Sequence, residues 1–395
     1  MTTPRLEATP HGTGLDVLVI GGGPAGSVAA RALARDGHRV ALVDRGTHPR
    51  WKVCGCCLSG RGVAALEREG LNGIIARLGA RRPRRLVIRH AGRDVRLPVD
   101  GTVVVSRSGL DTALLDAARD AGVDLYTGWS ATLGALEEGS RGVRIRRGDD
   151  RAELRARIVI GATGLTPVPA TDGTTSPDVA TAPGSRIGIG AVLPACGFGD
   201  RGPMPDHIHM VVGREGYVGI STLEDGRIDV AAAIDTAAVR NAGGPGAAVM
   251  ALLRDAGHPC PRIPPDLGWR GTPELTRAAD RPGAERLLLI GDAASYVEPF
   301  TGEGMTWAIE DARAVVPHVT AILEGADPLQ VLAAWTADRQ DRSTRGRRLV
   351  RAVAWISRSE WRIRTTLGIL RTAPVLAKPF VRSATSPLPL QQDTP

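Results

Sequence analysis

Three glycines near the N-terminus are spaced for chemistry. Gly21, Gly23 and Gly26 lie in VLVIGGGPAG, a G-x-G-x-x-G pattern that follows a short apolar run and precedes an alanine-rich one. Each meets a physical need: Gly21 permits a tight turn, Gly23 removes a side chain where the backbone would approach a pyrophosphate, and Gly26 lets a helix pack closely on a strand. Pro24 and Ala25 would open that helix, whose unpaired N–H groups and dipole favour phosphate. Asp44 ends the next apolar run, where a carboxylate would bond ribose hydroxyls and discriminate against a phosphorylated ribose; Arg45 beside it joins the candidate contacts. A glycine triplet alone could be a mere turn. Strand, helix and acid together point to a dinucleotide.

A second cluster follows at residues 49 to 71, PRWKVCGCCLSGRGVAALEREGL. Lys52 is one of only two lysines, with Lys378, in a chain whose other basic residues are arginines. It is therefore a candidate for a role arginine cannot fill, such as a compact or deprotonatable donor. Cys54, Cys56 and Cys57 admit a metal site, a redox-active pair, or small packing residues. Cys196 and Cys260 stand apart from them, so no metal site is predicted, and the expectation is that Cys54 lines an active site without redox chemistry. His207 and His209 alternate along a predicted strand and share one face, for which solvent or satisfied contacts are favoured. No serine nucleophile elbow with histidine and acid appears.

The elements that must hold these residues are legible as patterns. Asp16 to Ile20, Ser27 to Asp36 and Arg39 to Val43 read as strand, helix and strand, the unit that builds a parallel sheet. Two runs from Leu86 to Leu97 flank Ala91-Gly92-Arg93-Asp94 as a hairpin, and Ser108 reads as the cap of a helix over Leu110 to Ala121. Val123 to Gly128 reads as a strand, followed by a meander of Ala131 to Leu136, Val143 to Arg147 and Glu153 to Ile160. A Pro, Gly and Thr-rich connection covers 165 to 184. Four strand-like runs, Arg186 to Leu193, Ile208 to Val212, Tyr217 to Thr222 and Arg227 to Ile234, suggest a separate antiparallel sheet. Arg286 to Ile290 returns to the buried parallel type, and Gly304 to Leu323 reads as a long helix.

Four segments together carry a family resemblance: the glycine turn, Ser106-Arg107 with Leu110-Asp111, IVIGATG at 158 to 164, and LLLIGDAASYVEPFTGEGMTWAIEDA at 287 to 312. They resemble the p-hydroxybenzoate hydroxylase-like FAD-dependent oxidoreductases, which include aromatic monooxygenases, halogenases and geranylgeranyl reductases. The 49 to 71 segment is similar to the K-x-C-G-x-x-L-S stretch of geranylgeranyl reductase-like members, which lies beside flavin and substrate. The resemblance implies FAD as cofactor, with NAD(P)H as direct or indirect electron donor. Gly291 and Asp292 would hold the ribityl chain, Arg107 would reach the flavin, and Pro299, Gly302, Gly304 and Met305 would aim a helix start at its pyrimidine edge. A glycine-rich helix start stabilises the negative charge that reduced flavin carries there. Lys52, Cys54 and Glu303 are the catalytic candidates.

The fold class implied is α/β: a Rossmann-type FAD-binding domain with a β-sheet substrate domain inserted, plus a C-terminal helical segment. Expected boundaries are a flexible tail at 1–14, the FAD-binding domain at 15–80, 99–175 and 270–325, the substrate domain at 81–98 and 176–269, a helical region at 326–385 and a disordered tail at 386–395. The expected reaction is monooxygenation of a hydrophobic aromatic, polyketide or isoprenoid molecule, in which reduced flavin and dioxygen give a flavin hydroperoxide. The alternative is reduction of substrate double bonds. Thr163-Gly164 stands where aromatic hydroxylases read Asp-Gly, which leaves the electron source open and makes a separate flavin reductase a candidate partner. A flavin-dependent halogenase is the last alternative, because the spaced tryptophans of halogenases are absent.

Bulk properties narrow the remaining classes. The chain has 395 residues, 43% hydrophobic and 23% charged, an ordinary globular balance with room for more than one core. Its net charge of +8 lacks the interleaved aromatics or zinc-finger spacing of nucleic-acid binders, so no nucleic-acid partner is expected. No run of 18 apolar residues occurs and the start lacks a signal-peptide pattern, so a cytoplasmic location is expected. Residues 346–381 alternate apolar side chains with arginine, a pattern suited either to docking on the rest of the fold or to peripheral membrane contact.

Overall fold

The computed structural model describes residues 14–171, 176–201, 203–264, 267–298, 300 and 302–373, with the backbone alone at 199–201 and 343–354. Pro299 and the two predicted tails, save Gly14, lie outside them.

Two large sheets organise the chain. The first runs in the order Gly283–Ala284, Leu287–Leu289, Asp150–Gly161, Leu15–Ile20, Val40–Asp44 and Asp124–Thr127, with every pairing after the first parallel. Val17, Val19, Leu42, Ile158 and Ile160 face the helices Pro24–Arg35 and Gly304–Leu323. Leu18, Val43 and Val159 face a covering meander of Ser130–Glu137, Ser140–Arg147 and the first half of Asp150–Gly161. Burial on both faces is why these strands read as unbroken apolar runs.

The second sheet runs Arg270–Glu274, Ile187–Leu193, Ile228–Ile234, Gly216–Thr222, His207–Val212, Arg85–His90 and Arg93–Pro98. Its last two strands are joined by Ala91 and Gly92, both at positive φ (47° and 73°), the two-residue turn whose twist suits a hairpin. One face packs Val211, Val218, Ile220 and Val230 on the helix Pro245–Asp255. The opposite face turns toward the first sheet's loops. The chain closes with the helices Pro328–Ile356 and Glu360–Thr372, the latter seating Ile363 and Leu367 against Met210, Val212 and Tyr217.

One local expectation is corrected. The helix Arg107–Asp120 is capped by Ser106, whose Oγ accepts from Gly109 N at 3.0 Å, and not by Ser108. The helix begins at Arg107, so Ser106 alone has the extended backbone (φ −62°, ψ 143°) that a cap requires. Among the described residues no helix is long and apolar enough to cross a membrane.

Candidate active site at the junction of the two sheets

The glycine turn has the geometry its spacing predicts. Gly21 has φ 115°, and a β-carbon there would lie 2.3 Å from the carbonyl oxygen of Ala162; one on Gly26 would lie 1.9 Å from that of Gly21. No side chain fits either position without moving backbone. Gly23 differs: an added β-carbon would meet nothing nearer than Lys52 Nζ at 3.6 Å and Arg107 Nη2 at 3.8 Å. Pro24 follows at the helix start, with Ala25 buried beneath the turn. Open space at a helix N-terminus, rimmed by two cations, suits a diphosphate.

Asp44 is buried at the end of its strand. Its carboxylate accepts from Gly22 N (2.6 Å), Gly46 N (2.7 Å) and Arg50 Nη2 (2.7 Å). Burial alone would raise its pKa, but His48, the Arg50 charge and the Gly46 N–H outweigh it and hold the group at about 2. Arg45 points outward to Thr166 Oγ1.

Lys52 and Arg107 converge on one carboxylate. Arg107 makes a bidentate pair with the fully buried Asp111 (2.8 and 2.7 Å), and Lys52 Nζ stands 3.8 Å from the same group. Asp111 was part of the sequence motif, but its task was not; the i, i+4 spacing from Arg107 is the signal that reveals it. Burial and the neighbouring Arg107 bring Lys52 down to about 8.

The loop carrying Lys52 bridges the sheets. Trp51 and Val53 press on the space over Gly190 of the second sheet, at 3.4 and 3.2 Å from where its β-carbon would stand. Ser221 Oγ donates to Gly55 O at 3.4 Å, and Cys57–Leu58 pairs with Val103–Val104. Cys56 takes a positive φ of 55°. Cys54, half-buried, is drawn toward the thiolate by the Cys56 thiol and the Arg107 guanidinium, while Cys56 is pushed the other way. Asp229 of the second sheet lies buried beside them; desolvation and the Cys54 charge push its carboxyl well above the usual range. A lone acid in a strand gives no sequence sign of this.

Beyond that loop, the second sheet offers a floor of small residues. Gly190, Ala231 and Gly219 are neighbours across three strands, and Gly219 and Ala231 are each half-exposed in otherwise buried runs. Met210 Cε is 3.8 Å from where a Gly219 β-carbon would be, and Tyr217 packs edge-on to Phe300 with ring centroids 4.9 Å apart. His207 and His209 take the opposite face, 5.9 Å apart, with His209 5.6 Å from His258.

The remaining predicted residues cluster at the start of Gly304–Leu323. Asp292 is partly exposed at the cleft; desolvation, only partly offset by Arg107 and Lys52, raises it to about 7. Gly291 (φ 58°) donates its N–H to Asp311 Oδ2 at 2.9 Å, and Gly302 (φ 71°) abuts Cys57. Gly304 opens the helix against Tyr296, with Met305 buried behind it. Glu303 is buried and stands 3.6 Å from Arg61 Nη2, on the side of the helix Gly60–Arg68. Sequence alone did not pair it with Arg61.

The family described as FAD binding domain matches residues 14–177 and 263–351. Menaquinone reductase of Mycobacterium tuberculosis is 27% identical over 353 residues, covering 83% of this chain and 81% of that protein. Digeranylgeranylglycerophospholipid reductase 1 of Methanopyrus kandleri is 30% identical over 315 residues, covering 74% and 77%. In fold, p-nitrophenol 4-monooxygenase from Pseudomonas putida superposes with a TM-score of 0.71 over 95% of this chain and 99% of that one, at 19% identity.

Proposed function

The chain belongs to the FAD binding domain family and is an FAD-dependent oxidoreductase; from that premise we propose that it reduces a carbon–carbon double bond in a hydrophobic, isoprenoid-type substrate. The observation that carries the reading is the loop at 51 to 57, which holds Lys52 and Cys54 between the glycine turn and the small-residue floor at Gly190, Gly219 and Ala231. The relatives named reductases at 27% and 30% identity support it in sequence.

In this reading Gly21, Gly23, Gly26 and the helix start bind the cofactor's diphosphate, with Lys52 and Arg107 above Gly23. Asp44 serves the ribose and Asp292 the ribityl chain. When bound, FAD supplies the two-electron chemistry that no side chain here has. Asp111 orients both cations, and the Trp51 and Val53 side chains keep water from the loop's underside. Cys54 lies beside the substrate space and holds or releases a proton at Sγ, its charge balanced by Arg107. Glu303, paired with Arg61, steadies the helix start rather than reaching substrate. NAD(P)H, directly or through a partner reductase, is the electron donor.

Monooxygenation is the second reading, and the Tyr217–Phe300 pair, which suits a flat ring, favours it. An anaerobic incubation of reduced holoenzyme with a geranylgeranyl-chain lipid separates the two. The expected product has gained two hydrogens without oxygen. Conversion that needs dioxygen and adds one oxygen atom would replace the reductase reading with the second.

A further inference from the structure

We propose that the outer face of the helix Glu360–Thr372 seats the protein on an anionic lipid surface, with Trp361 and Ile369 entering the interface and the arginines around them meeting lipid phosphate. The proposal is independent of which reaction the cleft performs.

The helix has a fixed inside and outside. Ile363 and Leu367 are buried against the second sheet, so its rotation is set. The opposite stripe then presents Trp361 and Ile369, 66% and 47% exposed, and Trp355 just before the helix is 60% exposed. These are three of the six large apolar side chains left exposed among the described residues, gathered within fifteen positions. Clustered exposure of this kind marks an interaction surface, whereas scattered apolar residues do not. The segment is also anchored: Arg186 Nη1 donates to Ser357 Oγ at 3.2 Å and to Glu298 Oε1 at 2.8 Å.

Charge chooses the partner. Between 355 and 373 the sequence has four arginines (358, 362, 364 and 371) and one acid, Glu360. That acid is already paired with Arg364 at 2.7 Å. The Arg362 guanidinium lies 3.8 Å over the Trp355 ring. A second copy of this face would bring like charges together, and a nucleic acid would leave the Trp361 and Ile369 stripe wet. Tryptophan and isoleucine on an outer helix stripe with arginines along its flanks is the composition of an interfacial anchor, and each arginine near an anionic surface adds to the attraction.

Flotation of the full-length holoenzyme tests this, using phosphatidylcholine vesicles with and without phosphatidylglycerol. The wild-type chain is expected to float with the anionic vesicles only, and to leave them as salt rises. W361S/I369S should lower the bound fraction about tenfold or more, and R364Q/R371Q roughly tenfold, both with unchanged flavin spectrum and melting temperature. Wild-type protein that ignores anionic vesicles at low salt overturns the proposal, as does binding that both double variants retain. A wild-type dimer that W361S/I369S dissociates, without vesicle binding, assigns the face to a second copy instead.

Discussion

Asp44 and Asp292 both feel the charge of Lys52, yet the fold treats them in opposite ways. Asp44 is sealed at a strand end with two backbone N–H groups and Arg50 on it, and stays ionised down to about pH 2. Asp292 sits at the cleft with its carboxyl raised to about 7. The first end of the groove is satisfied internally and built for rigidity. The second carries a desolvation cost that Arg107 and Lys52 offset only in part, the condition expected of a group held for a binding partner rather than for the scaffold.

The largest break in this contrast should come from the rigid end. Gly26→Ala places a methyl 1.9 Å from a backbone oxygen that cannot retreat. We expect a loss of about 3 kcal/mol in stability and purification without yellow chromophore. Full flavin occupancy with an unchanged melting temperature would mean that the turn is looser than the close contacts imply.

Asp44→Ala should cost about 2–3 kcal/mol at neutral pH, because it strands the Gly22 and Gly46 N–H groups and the Arg50 charge. Its folded pKa of about 2 lies below the ordinary 3.8, so its contribution is complete above about pH 4 and is lost as pH falls toward 2. Urea unfolding of wild type and variant should therefore converge in acid. Curves that stay parallel at all pH values would remove Asp44 as the source.

Asp292→Asn sharpens the comparison from the other end, with the opposite sign. Because its folded pKa of about 7 lies above 3.8, the wild-type group favours the folded apoprotein most at low pH and loses that contribution as pH rises from about 4 through 7. The apo variant should be more stable than apo wild type above pH 7, by on the order of 1–2 kcal/mol after solvent screening, and equal to it in acid. FAD affinity should fall about tenfold, from the loss of one charge-assisted hydrogen bond. Melting curves of both apoproteins against pH, with a flavin titration, decide it. A variant with wild-type affinity would take Asp292 out of the cofactor site.

The rigid end was the more legible of the two in sequence, for a physical reason. Gly21, Gly23, Gly26 and Asp44 act through backbone conformation and local order, which a run of twenty-odd residues records. The parallel strands, the hairpin at Ala91-Gly92 and the helix at Gly304–Leu323 were readable for the same reason. The Asp292 end depends on groups far apart in sequence: Arg61 with Glu303, Arg186 with Glu298, Asp229 beside Cys54 and Cys56. None of these leaves a periodic trace. Ser106 and Ser108 are both serines before an apolar run, and only the extended backbone at 106 makes that one the cap.

That pair of serines gives the smallest and most discriminating effect. Ser106 Oγ caps the helix and also donates to Glu224 Oε1, while Ser108 Oγ donates only to Ser106 Oγ at 3.2 Å. Ser106→Ala should cost about 1 kcal/mol, and Ser108→Ala less than about 0.5. The cap also sets the first turn from which Arg107 reaches both Gly23 and Cys54, so Ser106→Ala should blunt Arg107 at both ends of the groove. Flavin affinity should fall a few-fold, and the pH midpoint of Cys54 alkylation should rise, since Arg107 helps hold that thiol low. If stability falls but the alkylation midpoint stays put, Arg107 is held by Asp111 alone and the cap is merely structural. If both move, the two ends of the groove share one positioning helix, and their difference lies in the partners each carboxylate was given.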